Sequence, residues 1–334
     1  MNSFGRRVIP SLIVVLAVLS VSLQDKPATK ELKIGILGLD TSHVVAFTKL
    51  FNDPKAKGDL ATMRVAAGFP GGTDIASSKN RVKGFTKQLR GMGVEIVDSI
   101  PELLKKVDVV LLECVDGRPH LEQVRLVFAA GKRVFIDKPL AGSLVDVVGI
   151  EALGRKFKVP WWSSSSLRFC APLPENIGKV LGCAAWSPCS LEPTHPDLFW
   201  YGIHGVESLF TVMGVGCESV TRVQTDGVEL VTGVWAGGRV GTFRGIRKGK
   251  SGYGAVVFGE KGIAQRPNYA GYAPLVGEIA KFFRTGTPPV STEETLEIYA
   301  FMEAADESKR QAGVPVSVAR TLRRARAMYA RRKR

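Results

Sequence analysis

The chain is poor in the residues that build metal and disulfide scaffolds. Its four histidines are widely separated and give no zinc-ligand spacing, so no metal is expected from the pattern. The five cysteines, Cys114, Cys170, Cys183, Cys189 and Cys217, contain no C-x-x-C. Their odd number leaves at least one unpaired within a chain; Cys183 and Cys189 are close enough in sequence to pair, but spacing alone does not establish a bond. Long hydrophobic runs are also missing: the apolar stretch from Ser11 to Leu23 is only about thirteen residues, short for a membrane-spanning helix. No internal repeat is present. Acid is absent from the C-terminus, where Arg320 to Arg334 carries eight basic residues; taking these from the net charge of +15 leaves +7. The arginines of this stretch fall on more than one helical face and lack the aromatic interleaving of a base-stacking surface. They predict a solvated helical extension (320–334) rather than a specific nucleic-acid interface.

What is present at the N-terminus is an export pattern. Arg6 and Arg7 precede the short apolar run, and Ser20 and Ser22 supply small residues near its end. Residues 1–24 therefore read as a signal peptide of an exported, periplasmic or extracellular protein, with no stable span after cleavage and a membrane anchor if cleavage fails. The arginine pair loosely resembles a twin-arginine signal.

From residue 31, short apolar strands alternate with helices. Strands are predicted at Leu32–Leu37, Met63–Ala67, Gly91–Val97, Val107–Cys114, Val134–Ile136 and Val159–Trp162. The intervening helices end near Asn52, Lys106, Ala130 and Phe157. This alternation defines a doubly wound parallel sheet over 31–160. Beyond Arg168 the texture changes to β-rich runs at 220–225, 228–235, 239–246 and 254–258, with Gly237-Gly238 as a hairpin turn. Helices are expected at 205–213, 275–284 and 292–311. A second, α+β domain with a mainly antiparallel open sheet is predicted over 161–319.

The stretch RVFIDKPLA, Arg133 to Ala141, stands out. A buried strand ends in Asp137-Lys138-Pro139 and delivers those charges to the carboxyl rim of the sheet, where open α/β sheets bind ligands. Several segments together with it resemble the Gfo/Idh/MocA oxidoreductase family: KIGILG in the first strand, Pro119-His120 followed by Ala130-Gly131-Lys132, DKP at 137–139, Leu167-Arg168-Phe169, Gly202-Ile203-His204, Gly259-Glu260-Lys261-Gly262 and Gly313-Val314-Pro315-Val316. The resemblance covers roughly residues 31 to 320. It implies a Rossmann domain, a C-terminal α/β domain, NAD or NADP as cofactor, a sugar- or polyol-like substrate and a homo-oligomer built through the open sheet face. It places the family's catalytic lysine on Lys138 and its histidine on His204. The dinucleotide would be held by Gly38, Leu39, Asp40, Thr41, Ser42 and His43, with Cys114, Val115, His120, Asp137, Lys138 and Arg168 around it.

Three departures pull the other way. Where the family commonly has an aspartate four residues before the histidine, this chain has Trp200, which can stack on a sugar but cannot exchange a proton. Asp40 and His43 stand at the second and third glycine positions of G-x-G-x-x-G. As a helix N-cap, Asp40 would set a carboxylate where phosphate otherwise sits. The end of the second strand, Gly68 to Gly72, lacks the acid or base expected there, and Asp74 comes late. Two readings follow: an NAD(P)-linked sugar or polyol oxidoreductase, which outside the cell would have to carry its own cofactor, or a redox-inactive carbohydrate-binding or regulatory member of the same fold. Retained cofactor also allows a glycoside-cleaving variant using transient oxidation.

Overall fold

A computed structural model describes residues 30–170, 175–266 and 269–332. The predicted signal segment and the last two basic residues lie outside them. The first strands and helices are β1 (Leu32–Leu37), α1 (His43–Phe51), β2 (Met63–Phe69), α2 (Ala76–Lys79), α3 (Val82–Gly91), β3 (Glu95–Ile96) and α4 (Ile100–Lys106). They continue with β4 (Val109–Leu112), α5 (His120–Ala129), β5 (Val134–Ile136), α6 (Leu144–Phe157) and β6 (Trp161–Trp162). The strands form a six-stranded parallel sheet in the order β3-β2-β1-β4-β5-β6, so the chain reverses direction across the sheet between β1 and β4. Every residue of β4 and β5 is buried, as expected for central strands covered on both faces. Ser99 and Ser143 cap α4 and α6 by accepting the amides of Glu102 and Asp146, and Gly131, with φ of +67°, ends the α5 turn.

The expected third strand at 91–97 is mostly helix and turn. Helix α3 runs through Gly91 and only Glu95–Ile96 pairs with β2, at the sheet edge. Because β6 belongs to the first sheet, the first lobe extends through Trp162 rather than stopping at 160.

The second lobe contains β7 (Val180–Pro188), α7 (Ile203–Met213), β8 (Cys217–Thr225), β9 (Val228–Trp235), β10 (Arg239–Ile246), β11 (Gly254–Gly259) and β12 (Ile263–Arg266). Helices α8 (Ala273–Thr285) and α9 (Thr292–Arg310), strand β13 (Val316–Ser317) and helix α10 (Val318–Arg332) follow. Its seven strands are ordered β12-β11-β7-β10-β9-β8-β13 and are antiparallel except for β7 against β10. Gly237 and Gly238 both adopt positive φ in the β9–β10 turn, as the sequence predicts.

Two helices of the second half return to the first lobe. Leu275, Ile279 and Phe282 of α8 pack with Ile34, Val44, Phe47 and Trp162. On α9 the Tyr299 hydroxyl accepts the Leu140 amide at 2.7 Å, fastening this helix to the strand exit that carries Lys138. The basic extension is not solvated all round. Val318 and Ala325 of α10 are buried, and Gly149 on α6 lies so close to the Tyr329 ring that a Cβ there would meet it at 2.9 Å. Arg332 also pairs with Asp146 at 2.8 Å. All five cysteines are free, four of them buried, so Cys183 and Cys189 do not pair.

Candidate functional site

A cleft of about 500 Å³ opens at the carboxyl rim of the parallel sheet. Thr41, Ser42, His43, Val115 and Lys138 line it from the first lobe, and Trp200, Tyr201 and His204 from the second. Strand β5 and the following Asp137 put Lys138 on the rim; the Lys138–Pro139 peptide is cis. Trp200 and Tyr201 lie on a π-helical turn, Leu198–Gly202, that runs directly into α7 and sets His204 in its first turn. Such turns widen a helix locally and often mark functional sites. The Lys138 ammonium stands 5.8 Å from the centre of the Tyr201 ring, and the Tyr201 and His204 ring centres are 5.1 Å apart. Lys138 and His204, separated by a lobe in sequence, thus meet around Tyr201.

His204 Nδ1 shares a 2.7 Å hydrogen bond with Ser165 Oγ, which also accepts the Leu167 amide. Burial, then the positive charge of Lys138, push His204 well below its ordinary range, so its imidazole is neutral at pH 7. The other ring nitrogen, Nε2, has no hydrogen-bond partner among the described residues.

The glycine-loop departures are accommodated in the first lobe. Gly38, with φ of +91°, is indispensable because a Cβ would lie 2.3 Å from Cys114 Sγ. Asp40 does not cap α1; that position is Ser42, without a side-chain cap. Instead the Asp40 carboxylate turns inward and accepts the Val115 amide at 3.0 Å, joining the β1 and β4 exits. It is only 2% exposed, and burial pushes it up to about 6 despite the Val115 amide. The charge is therefore stowed beneath the loop rather than aimed at the cleft. His43 points inward too, with Nδ1 2.5 Å from Asp137 Oδ2 and 3.9 Å from Glu113 Oε2. Burial would raise Asp137, but His43 and Lys138 outweigh it and hold the carboxyl at about 2. Glu113 is pushed well above the ordinary carboxylate range by burial and by Asp137 beside it.

The raised Asp40 makes a stability prediction. A carboxyl whose folded pKa is about 6 against 3.8 costs nothing at pH below 3.8; the cost grows as pH rises and is complete above 6. Asp40→Asn keeps an oxygen for the Val115 amide and removes the charge. It is expected to stabilise the fold by up to about 3 kcal/mol at pH 8 and by little at pH 4, read from urea unfolding at both pH values.

Several residues expected around a dinucleotide do not face the cleft. Leu39 is fully buried. Cys114 sits behind the loop, its thiol near the Leu37 carbonyl at 3.7 Å and pushed up by burial. His120 is fully buried between the carbonyls of Leu140 and Cys114, at 3.1 and 3.0 Å, and burial lowers it to about 4. Arg168 is clamped by Glu207 and Glu294, each at 2.7 Å. These side chains brace the walls. Sequence reasoning passed over Arg81 and Ser77, which line the cleft beside Thr41 and Ser42, and Tyr253, Tyr269 and Tyr272 on the opposite side. The tyrosines continue an arc of ring contacts from His204 through Tyr253, Tyr269 and Tyr272 to His43, with centroid separations of 6.1, 6.1, 5.7 and 4.8 Å. Four of the chain's six tyrosines lie here, and the only sequence signal was their placement in or near glycine-containing loops.

No protein-family model matches the sequence, and no curated protein matches it. Solved structures do. GenD2 from gentamicin A biosynthesis, in complex with NAD, superposes with a TM-score of 0.70 at 16% identity over 86% of this chain and 97% of its own. Scyllo-inositol dehydrogenase from Lactobacillus casei, with bound NAD(H) and scyllo-inositol, gives 0.68 at 14% identity over 87% and 100%. An oxidoreductase from Thermotoga maritima gives 0.68 at 18% identity over 87% and 100%. The chain therefore has the two-lobed fold of the Gfo/Idh/MocA-type oxidoreductases. Among the described residues, no helix is long and apolar enough to cross a membrane.

Proposed function

We propose that the chain is a nicotinamide-dependent oxidoreductase acting on a hydroxyl of a sugar or polyol. The observation that carries this reading is the meeting of Lys138, Tyr201 and neutral His204 in one cleft between lobes. The residues around the β1 exit fit a dinucleotide. Thr41 and Ser42 stand at the start of α1, and Ser77 and Arg81 add donors for phosphate oxygens. Asp40, buried under the loop, does not oppose them. When bound, the nicotinamide supplies the hydride acceptor. With the His204 Nδ1 proton donated to Ser165 Oγ, Nε2 presents a lone pair that takes the substrate hydroxyl proton. Lys138 donates a hydrogen bond to the same oxygen and stabilises the charge that develops there. Trp200 and the tyrosines offer faces for a sugar ring.

Calorimetric titration with NAD⁺, NADH, NADP⁺ and NADPH tests the cofactor, together with mass spectrometry of denatured protein for retained nucleotide. Micromolar binding of one of them, or co-purified nucleotide, is expected. No binding at millimolar concentration and none retained would leave a carbohydrate-binding scaffold as the better account.

Export and self-association belong to the same proposal. The basic flank and short apolar run at residues 1–24 support export, to be read from N-terminal processing and cell fractionation. On the outer face of the second sheet Val223, Leu230, Val234, Val240 and Phe258 are exposed. An apolar sheet face of this kind suits a second copy of the chain. Light scattering is expected to give a dimer or larger, and Val240→Asp to shift it to monomer with cofactor binding retained.

A further inference from the structure

We propose that His43, Glu113 and Asp137 form a binding site for a first-row transition dication such as Zn²⁺ or Mn²⁺ at the floor of the cleft. One donor atom from each lies within 4.8 Å of the other two. They come from the start of α1 and the ends of β4 and β5, the point where the parallel sheet reverses its strand order. Proximity alone would not make a site. The independent observation is Glu113: its side chain is completely buried, neither oxygen accepts a hydrogen bond from a donor group of the described residues, and its polar neighbour is another carboxylate, Asp137. A buried carboxylate without donors is costly, and such groups are normally paired, protonated or bound to metal. No lysine or arginine pairs with it among the described residues; the nearest basic group is the His43 imidazole, at 3.9 Å.

Chemistry and geometry both suit a cation. One imidazole nitrogen with carboxylate oxygens is a donor set for Zn²⁺, Mn²⁺ or Fe²⁺ rather than for an all-oxygen ion such as Ca²⁺. Ligands held about 2.1 Å from a tetrahedral or octahedral ion lie roughly 3.0–3.4 Å apart. From His43 the separations are 2.5 Å to Asp137 and 3.9 Å to Glu113, and all three donor atoms lie within 4.8 Å, so one contact must open and another close for the site to form. Two carboxylates balance the ion's charge. Asp137 Oδ1 already accepts the Lys138 amide at 2.8 Å, which leaves Oδ2 as its ligand atom. The His43 side chain is 12% exposed and lines the cleft, so further coordination positions open toward a water or a substrate oxygen.

The test does not depend on the redox reading, because it reads metal rather than turnover. The full chain, purified without a polyhistidine tag and stripped with chelator, is titrated with ZnCl₂ and with MnCl₂, and bound metal is counted by mass spectrometry after dialysis. One equivalent per chain at micromolar free ion is expected. Glu113→Gln, nearly isosteric and therefore compatible with the fold, is expected to weaken binding more than about 100-fold, and His43→Ala to do the same. Pulsed electron paramagnetic resonance of the Mn²⁺-loaded wild type should show one histidine nitrogen coupled to the ion. Absence of uptake by the wild type, binding undiminished in Glu113→Gln, or a Mn²⁺ spectrum without nitrogen coupling would each overturn the proposal. In the first case Glu113 is simply a protonated carboxylic acid beside Asp137.

Discussion

Lys138→Met is expected to lower kcat/KM for hydride transfer by about 10²–10⁴-fold while leaving cofactor affinity unchanged. The side chain sits on the rim beyond Asp137, beside the Tyr201 ring and in the same cleft as His204, and in the proposed mechanism its ammonium acts at the substrate oxygen. Methionine keeps the stem and removes the donor, which confines the loss to kcat. His204→Asn should cost a similar factor, and the double variant little more than either alone, because both groups act on one oxygen. The pH profile separates their roles. His204 accepts a proton only when neutral, and burial with Lys138 nearby holds its pKa well below 6.5. Wild-type kcat/KM should therefore show no inflection near pH 6.5 and should fall only at lower pH, as His204 takes up its proton. In His204→Asn that acid limb disappears. The measurement is nicotinamide absorbance over a panel of inositols and hexoses. An unchanged kcat in Lys138→Met would end the redox assignment of this residue.

Lys138 was legible because its surroundings are local: three apolar β-formers, a charged pair and a proline define a strand exit without any tertiary knowledge. His204 was legible only through its motif, since nothing in a helical Gly-Ile-His run distinguishes a cleft residue from a core one. Asp40 was misplaced for a physical reason. The residue before Thr-Ser at a helix start reads as a cap, yet the Val115 amide, 75 residues on, captures its carboxylate. Glu113 gave no signal at all, standing in the apolar run VVLLECV where a single charge suggests a strand end. Its significance appears only when β4, β5 and α1 converge. Strand β7 was missed because Gly182, Ala184 and Ala185 carry little β-propensity. The small residues are needed there: a Cβ at Gly182 would lie 2.7 Å from the Val240 carbonyl of the parallel neighbour.

Arg222→Ala is expected to destabilise the second lobe by about 3–5 kcal/mol. The guanidinium on β8 is completely buried and contacts three carboxylates: Glu229 at 2.6 Å, Asp197 at 2.8 Å, and Asp306. Glu229 is itself fully buried, with Arg247 as its second partner. Burial pushes Asp306 up to about 7 even with Arg222 beside it, so this group is only partly ionised at neutral pH before the cation is removed. Asp197 has Lys309 as a further partner at 2.7 Å and is a quarter exposed. The loss therefore falls mainly on Glu229. Arg222→Lys should recover only part of it, since one ammonium cannot span β9, α9 and the segment before the π-helical turn. Adding Glu229→Gln to Arg222→Met removes the half-compensated charge but takes the carboxylate from Arg247, so it should restore only part of the lost stability by urea unfolding. The same network reaches the cleft, because Asp197 immediately precedes the Leu198–Gly202 turn that carries Trp200 and Tyr201. A chain stabilised by the double substitution but with Asp197 released should thus fold yet bind sugar-like ligands more weakly. That combination would separate what the buried arginine does for stability from what it does for the position of the cleft wall.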